Sequence, residues 1–300
     1  MRLPIRHGVV GSCLAVLALT ACGSDSLSGE PAGSAPPGPS ASASSTANPE
    51  LTARLPQDIR DAGTIVIGTD ASYAPNEFLA GDGKTVQGMD VDLFNAVATK
   101  LGVKTQWQPA SFDSIITGVQ GGRYDIGVSS FTINEQRKQQ VNMVSYFEAG
   151  TLWATAAGNP KGVDPDNACG KTVAVQTGTV QQEEDLPKRQ QACGDNKINI
   201  LPFEGQDQAT SAVASGRADA MLADSPVVTY AVTQSQGKLE KLGEVYEAAP
   251  YGYVVPKAET EFAQVLADAL TEIKDEGAYE AALAKWQLQD GGIDDFKVNP

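Results

Sequence analysis

The sequence predicts an α/β fold divided into two lobes. Three observations carry that prediction. Short β-branched runs alternate along the chain with stretches whose apolar residues recur at helical spacing, as in α/β architectures. A Gly-Arg-x-Asp segment occurs at Gly122–Asp125 and again at Gly216–Asp219, 94 residues later, each time between a helical stretch and an apolar strand. Two extended apolar segments, Thr151–Ala156 and Gly252–Pro256, lie between the expected lobes and are the hinge candidates.

The elements follow in order. Arg2 and Arg6 precede an apolar run from Gly8 to Ala21. That run is too short to span a bilayer, which needs ~20 apolar residues, and it has the form of an export signal. It ends in Leu19-Thr20-Ala21-Cys22, which resembles a bacterial lipobox. Residues 1–21 are therefore expected to be removed and Cys22 to carry lipid, with each buried CH₂ contributing about 0.8 kcal/mol to anchoring. Residues 23–50 are nearly all Gly, Ser, Pro and Ala. Such a composition buries too little apolar surface to offset ordering, so residues 22–55 read as a lipidated tether with a reach of roughly 30 Å.

In the body, Thr64–Asp70 reads as a buried strand. Asp90 is expected to cap a helix carrying Leu93, Phe94, Val97, Ala98 and Leu101, with Gly102 ending it. Val103–Trp107 is a strand. Ile115, Ile116 and Val119 mark a helix, and Tyr124–Ser129 is the next strand. The second lobe begins near Gly158. Lys171–Val175 and Ile198–Phe203 are its strands, and Gly178-Thr179 opens a helix between them. After the second crossing, Phe262, Val265, Leu266, Ala269, Leu270 and Ile273 form an amphipathic core stripe. Tyr279, Leu283 and Trp286 are core packing as well. The expected division is lobe 1 over 56–153 and 252–300, and lobe 2 over 154–251.

Composition excludes several chemistries. Loss of Arg2 and Arg6 with the leader leaves 20 basic against 37 acidic residues, a net charge of −17. A body so acidic repels nucleic acid and anionic lipid. The only histidine, His7, lies in the leader, so imidazole-dependent catalysis and His-bearing zinc sites are excluded. With Cys13 removed and Cys22 acylated, Cys169 and Cys193 remain, and a disulfide is the default in an exported chain. The acid pairs Asp90/Asp92 and Asp164/Asp166 lack the glycine and terminal glutamate of a calcium loop. They are expected to be a helix cap and loop acids, and no metal site or cofactor is expected.

In open α/β sheets, ligands sit beyond the carboxyl ends of strands. Those ends carry Ser129, Ser130 and Thr132 in one lobe and Asp224 in the other. By its residues alone, the Asn134–Lys138 stretch containing Arg137 reads as a solvated helix face. Asp224 before Ser225-Pro226 reads equally as a helix N-cap or as a ligand group.

Here the residues resemble a known family. Thr69–Phe78, Gly88–Leu93, Phe112, Gly122–Asp125, Ser130–Arg137, Val173–Thr179 and Gly216–Asp219 through Pro226 are similar, in order, to the polar-amino-acid-binding proteins of ABC importers. The resemblance covers nearly all of residues 58–288. It implies a two-lobed periplasmic-binding-protein fold of type II with a double-crossover hinge, closing on an L-amino acid. It further implies an expected monomer on the outer face of the bacterial cell membrane, held only by its lipid, with a permease as partner.

The resemblance also assigns roles. Arg137 would bind the ligand carboxylate through its planar fork, helped by Ser130 and Thr132. Thr179 and the Val180 amide would meet that carboxylate from lobe 2 at a helix N-terminus. Asp224 would take the ammonium. Tyr73 and Phe112 would wall the side chain, and Asp70 and Gln176 would read its polar end. A carboxylate at Asp70 repels acidic ligands and suits an amide or a cation. The chain departs from glutamine binders at Gln176, where they carry lysine, and Asn76 replaces an aromatic. The expectation is a neutral polar or basic amino acid, glutamine first, bound without turnover. The rival readings are a dehydratase of the prephenate or arogenate type on the same fold, and a component presenting ligand to a separate sensor.

Overall fold

The computed structural model describes residues 46–300, so the expected leader, Cys22 and most of the tether lie outside the described residues. In chain order the first half forms α1 (Pro49–Ala53), α2 (Gln57–Ala62), β1 (Thr64–Thr69), β2 (Ser72–Tyr73), β3 (Glu77–Leu79), β4 (Val86–Gln87), α3 (Met89–Lys100), β5 (Lys104–Pro109), α4 (Phe112–Gln120), β6 (Ile126–Gly127), α5 (Glu135–Gln140) and β7 (Asn142–Ala156). The second half forms β8 (Thr172–Gln176), a π-helical turn Gln181–Asp185 running into α6 (Leu186–Gln190), β9 (Asn199–Phe203), α7 (Gln206–Ala214), β10 (Ala220–Asp224), α8 (Ser225–Gln234), β11 (Leu239–Val255), α9 (Thr260–Asp275) and α10 (Ala278–Lys285).

Eight strands make one sheet in the order β5-β1-β6-β11-β7-β10-β8-β9, and β2-β3-β4 form a small second sheet. In lobe 1, β1 pairs in parallel with β5 and β6; in lobe 2, β8 pairs in parallel with β9 and β10. The expected alternation of strand and helix is therefore present in both. The lobes are joined by β7 and β11, which are 15 and 17 residues long and pair antiparallel with each other through both.

That pairing moves the hinge. Thr151–Thr155 pairs with β10 inside lobe 2, and Gly252–Val255 pairs with Asn142–Ser145 inside lobe 1. Neither expected segment is the crossing itself. The strands pass between lobes near Glu148–Thr151 and Tyr246–Pro250, where the register slips between Leu242 and Tyr246 and between Tyr246 and Ala249. A disrupted ladder bends more readily than a regular one.

Two local expectations also change. Residues 49–55, assigned to the tether, include α1, which Asn48 caps through its side chain. Leu51 and Leu55, one helical turn apart, are 4% and 2% exposed in the lobe 1 core. Arg54 ties this segment to Glu261 and Asp268 of α9. Asp90 is not the cap of α3, because Gly88 holds that position at φ +142°. A Cβ at Gly88 would lie 2.0 Å from the Asn76 carbonyl oxygen, so the sharp entry needs glycine. Asp90 is instead the second helical residue and fully buried.

The α9 stripe packs as the periodicity requires, with Phe262, Val265, Leu266, Ala269, Leu270 and Ile273 all in the lobe 1 core. Lobe 2 has two clusters, one holding Val213, Met221, Val227 and Val228, the other Trp153, Val173, Val175 and Leu222. Cys169 and Cys193 are bonded to each other, closing a loop within lobe 2. Closing a loop of this length stabilises a fold by ~3 kcal/mol. A Cys169→Ser/Cys193→Ser variant should therefore unfold in urea with about 3 kcal/mol less stability while keeping its ligand affinity, since neither cysteine lines the interlobe cleft.

Candidate functional site

The carboxyl ends of strands from both lobes meet at an enclosed cavity of about 10 Å³. Its walls are Tyr73, Phe112, Ser130, Thr132 and Arg137 from lobe 1, and Thr179, Val180, Gln181 and Asp224 from lobe 2. Eight of the ten residues expected at a ligand site thus line one space. The other two, Asp70 and Gln176, adjoin it and touch across the lobes, Gln176 Nε2 donating to Asp70 Oδ2 at 3.1 Å.

Arg137 sits in α5, whose N-cap Asn134 accepts the Arg137 N–H at 2.8 Å. The surrounding residues are polar, yet Arg137 itself is only 6% exposed, so it is not on a solvated face. Its Nη1 donates to the Thr132 carbonyl at 2.7 Å, and its Nη2 crosses the cleft to the Gly178 carbonyl at 3.0 Å. Its guanidinium also lies 5.5 Å from the Phe112 ring and 5.4 Å from Phe131. Gly178 has φ +80°, and a Cβ there would meet that of Asp113 at 2.9 Å, so the lobe 2 turn approaches this closely only as glycine. Burial lowers the affinity of the Arg137 guanidinium for its proton, and Glu183 and Asp224 oppose that shift.

Asp224 ends β10 and occupies the N-cap position of α8, but its side chain makes no capping bond. Its carboxylate instead accepts Tyr73 Oη at 2.9 Å, Tyr251 Oη at 2.8 Å and Gln181 Nε2 at 2.7 Å. The capping alternative is therefore not what this fold uses. Burial raises its pKa, while the bonds from Tyr251, Tyr73 and Gln181 oppose the rise.

Asp70, at the end of β1, is 5% exposed. It accepts the Ser72 N–H at 3.0 Å and the Phe112 N–H at 3.1 Å as well as Gln176. Burial pushes its pKa up. Among the described residues, no lysine or arginine forms an ion pair with Asp70, Asp224, Glu77 or Asp90.

The remaining expected residues have more local tasks. Thr179 Oγ1 donates to the Gln176 carbonyl at 2.8 Å and accepts Gln182 N–H at 3.3 Å, closing the turn before the π-helical segment that Val180 precedes. Ser130 adopts φ +51°, and its hydroxyl contacts Asn76, Glu77 and Asp90.

Sequence reasoning missed Gln181, Tyr251 and the buried Glu77–Asp90 pair. Gln181 lies two residues beyond Thr179 and was within reach of a helix-start argument. Tyr251 was not, because only the register of β11 brings it to Asp224.

The lobes are drawn together by Arg137 to Gly178, Tyr73 to Asp224, Gln176 to Asp70, Gln206 N–H to Ser72 Oγ at 3.0 Å, and Asn134 to Glu184 at 2.6 Å. A single water needs ~10–15 Å³, so nothing larger than a water enters unless the lobes part. Among the described residues no group of acids and thiols is placed to hold a metal ion, and no helix is long and apolar enough to cross a membrane.

Known proteins share this architecture. An arginine-binding protein of Corynebacterium glutamicum is 37% identical over 254 residues, covering 84% of this chain and 83% of the relative. The lysine/arginine/ornithine-binding periplasmic protein of Escherichia coli is 27% identical over 248 residues, 78% of this chain and 89% of the relative. Among solved structures, an ancestral arginine-binding protein bound to arginine aligns with a TM-score of 0.70 at 34% identity, over 75% of this chain and 98% of the other. An ancestral amino acid-binding protein described as a precursor of cyclohexadienyl dehydratase gives 0.69 at 32% identity, over 76% and 97%. The family model of bacterial extracellular solute-binding proteins, family 3, matches residues 65–289, and the chain belongs to that family.

Proposed function

We propose that this protein is the amino-acid-binding component of an ABC importer and that its ligand is a basic L-amino acid, arginine first. A zwitterion needs one cationic and one anionic partner in a closed cleft, because an unpaired buried charge is strongly disfavoured. Arg137 and Asp224 supply those two. Asp70 is then a surplus carboxylate beside the cavity with no protein cation, and this observation carries the reading. A cationic side chain would neutralise it, whereas a neutral amide such as that of glutamine would leave it unpaired. The arginine-binding relatives support the same choice over the glutamine-first expectation.

Binding would follow from differential contact. The ligand's carboxylate would replace the Thr132 and Gly178 carbonyls on Arg137, and its ammonium would add to the donors on Asp224. Since these partners come from both lobes, the ligand would stabilise the closed arrangement, and the closed body would meet the permease. We propose no turnover; incubation with arogenate or prephenate should leave both unchanged, as followed by chromatography. We further propose that Cys22 is acylated and tethers the body outside the cell. A Cys22→Ala variant should appear in the culture medium instead of the membrane fraction.

Calorimetric titration of residues 46–300 with arginine, lysine, ornithine, histidine, glutamine and glutamate tests the ligand. Arginine should bind tightest; a clear preference for glutamine would sink the reading. Arg137→Ala should abolish binding of every amino acid. Asp70→Asn should weaken arginine roughly tenfold to hundredfold, on the scale of losing a charged hydrogen bond, and leave glutamine nearly unchanged. Burial raises the pKa of both Asp70 and Asp224, so a cation must displace protons that these groups retain above the usual carboxylate range. Arginine affinity should accordingly rise with pH through that raised range and then level off, in titrations across the acidic to neutral interval.

A further inference from the structure

Behind the ligand-binding turn of lobe 1 lies a second pair of carboxyl groups that the clamp does not use. Glu77 of β3 and Asp90 of α3 are both fully buried. Ser129 and Ser130, just beyond β6, connect them to the cleft. Ser129 Oγ donates to Glu77 Oε1 at 3.0 Å and accepts the Asp70 N–H at 2.9 Å. Asp90 Oδ2 accepts the Ser130 N–H at 3.0 Å and Tyr146 Oη at 2.6 Å. Ser130 Oγ lies 3.2 Å from Glu77 Oε2 and 3.3 Å from Asp90 Oδ2, and accepts Asn76 Nδ2 at 2.9 Å.

Proton counting decides how these contacts are made. A hydroxyl has one proton and two lone pairs. If both carboxyls were ionised, Ser130 could donate to only one, and the other contact would hold two acceptors and no hydrogen. With a proton on Glu77 Oε2, Ser130 accepts from Asn76 and Glu77 and donates to Asp90, using its full capacity. The surroundings demand the same. The ionisable groups facing the pair are Asp70, Tyr73, Tyr146 and Tyr253, none of them cationic. Two adjacent buried anions without a cation are strongly disfavoured. Burial and the neighbouring Asp90 push the Glu77 carboxyl well above its usual range. Burial also raises Asp90, with the Tyr146 and Ser130 hydrogen bonds opposing the rise. Asp90 Oδ2 accepts both the Ser130 N–H and the Tyr146 hydroxyl, whereas Glu77, the shared Ser130 hydroxyl aside, takes only the Ser129 hydroxyl, so the negative charge is better satisfied on Asp90 and the proton belongs on Glu77.

We propose that Glu77 and Asp90 carry one proton for the pair, held on Glu77, and that this acid–carboxylate pair is the positioning device of the ligand-binding turn, holding Ser130 in its left-handed conformation and Ser129 on the Asp70 backbone. A residue with a Cβ occupies that conformation only when its surroundings impose it, and here the two carboxyls and Asn76 do so. Ser130 lines the cavity, and Asp70 is the proposed reader of the side chain, so both site elements hang on the pair.

The affinity part rests on the proposed amino-acid site; the proton does not, and the two are measured separately. Infrared difference spectra of wild type minus Glu77→Gln at neutral pH should contain a protonated-carboxyl C=O band. Arginine titrations should place Glu77→Gln, which mimics the protonated acid, within about threefold of wild type. Glu77→Ala, which removes the donor and leaves Ser129 and Ser130 short of a partner, should weaken arginine about tenfold or more. Absence of the band, or a Glu77→Gln variant as weak as Glu77→Ala, overturns the proposal. If Glu77→Ala does not fold, the spectrum and Glu77→Gln still decide. If wild type binds no arginine, the ligand assignment fails while the band still decides whether Glu77 holds the proton.

Discussion

A guanidinium and a carboxylate, contributed by opposite lobes and almost wholly withdrawn from water, must each be satisfied at every stage of closure. In the closed arrangement Arg137 is satisfied by two backbone carbonyls, and Asp224 by two phenols and an amide. These are hydrogen-bond partners without full charge. A dipolar molecule with a carboxylate at one end and an ammonium near it offers both sites a charged partner at once. That surplus of interaction, available only when both lobes are engaged, is what can bias an open–closed equilibrium.

The sheet makes such a bias mechanically accessible. β7 and β11 run unbroken through both lobes, so the lobes are parts of one hydrogen-bonded surface, not beads on a linker. The ladder is irregular between Leu242 and Ala249, opposite the middle of β7. Bending concentrated there would change the angle between lobes and leave the parallel strands on either side paired. Of the groups that form the clamp, Asp224 ends β10 and Arg137 lies in α5, so they stand on opposite lobes.

Acidic groups are arranged in two tiers around this clamp. Asp70 and Asp224 border the cavity, and Glu77 and Asp90 lie behind the Ser129–Ser130 turn. Among the described residues neither border carboxylate forms an ion pair, and the basic ligand proposed above would face them both. The rear pair is sealed, and its charge is best limited by a retained proton. On the two proposals above, the same residue type would serve recognition at one depth and positioning at another, the difference set by whether a ligand can reach it.

Much of this was legible in the chain. The α/β alternation, the α9 stripe and the Cys169–Cys193 pairing depend on local periodicity or on counting, and both survive folding. Ser130, Thr132 and Asp224 could be named because they sit at strand ends; Arg137, Tyr73, Phe112, Thr179 and Val180 were named only through the family resemblance. The buried state of Arg137 could not be read from its polar neighbours, nor the choice of Asp224 between capping and clamping, nor the true crossing points of β7 and β11. Tyr251 and the Glu77–Asp90 pair came into view only in three dimensions. Each depends on which distant strand lies alongside, and burial and pairing are properties of that register. Sequence periodicity specifies the face of an element that turns inward; the tertiary arrangement alone specifies what it meets there.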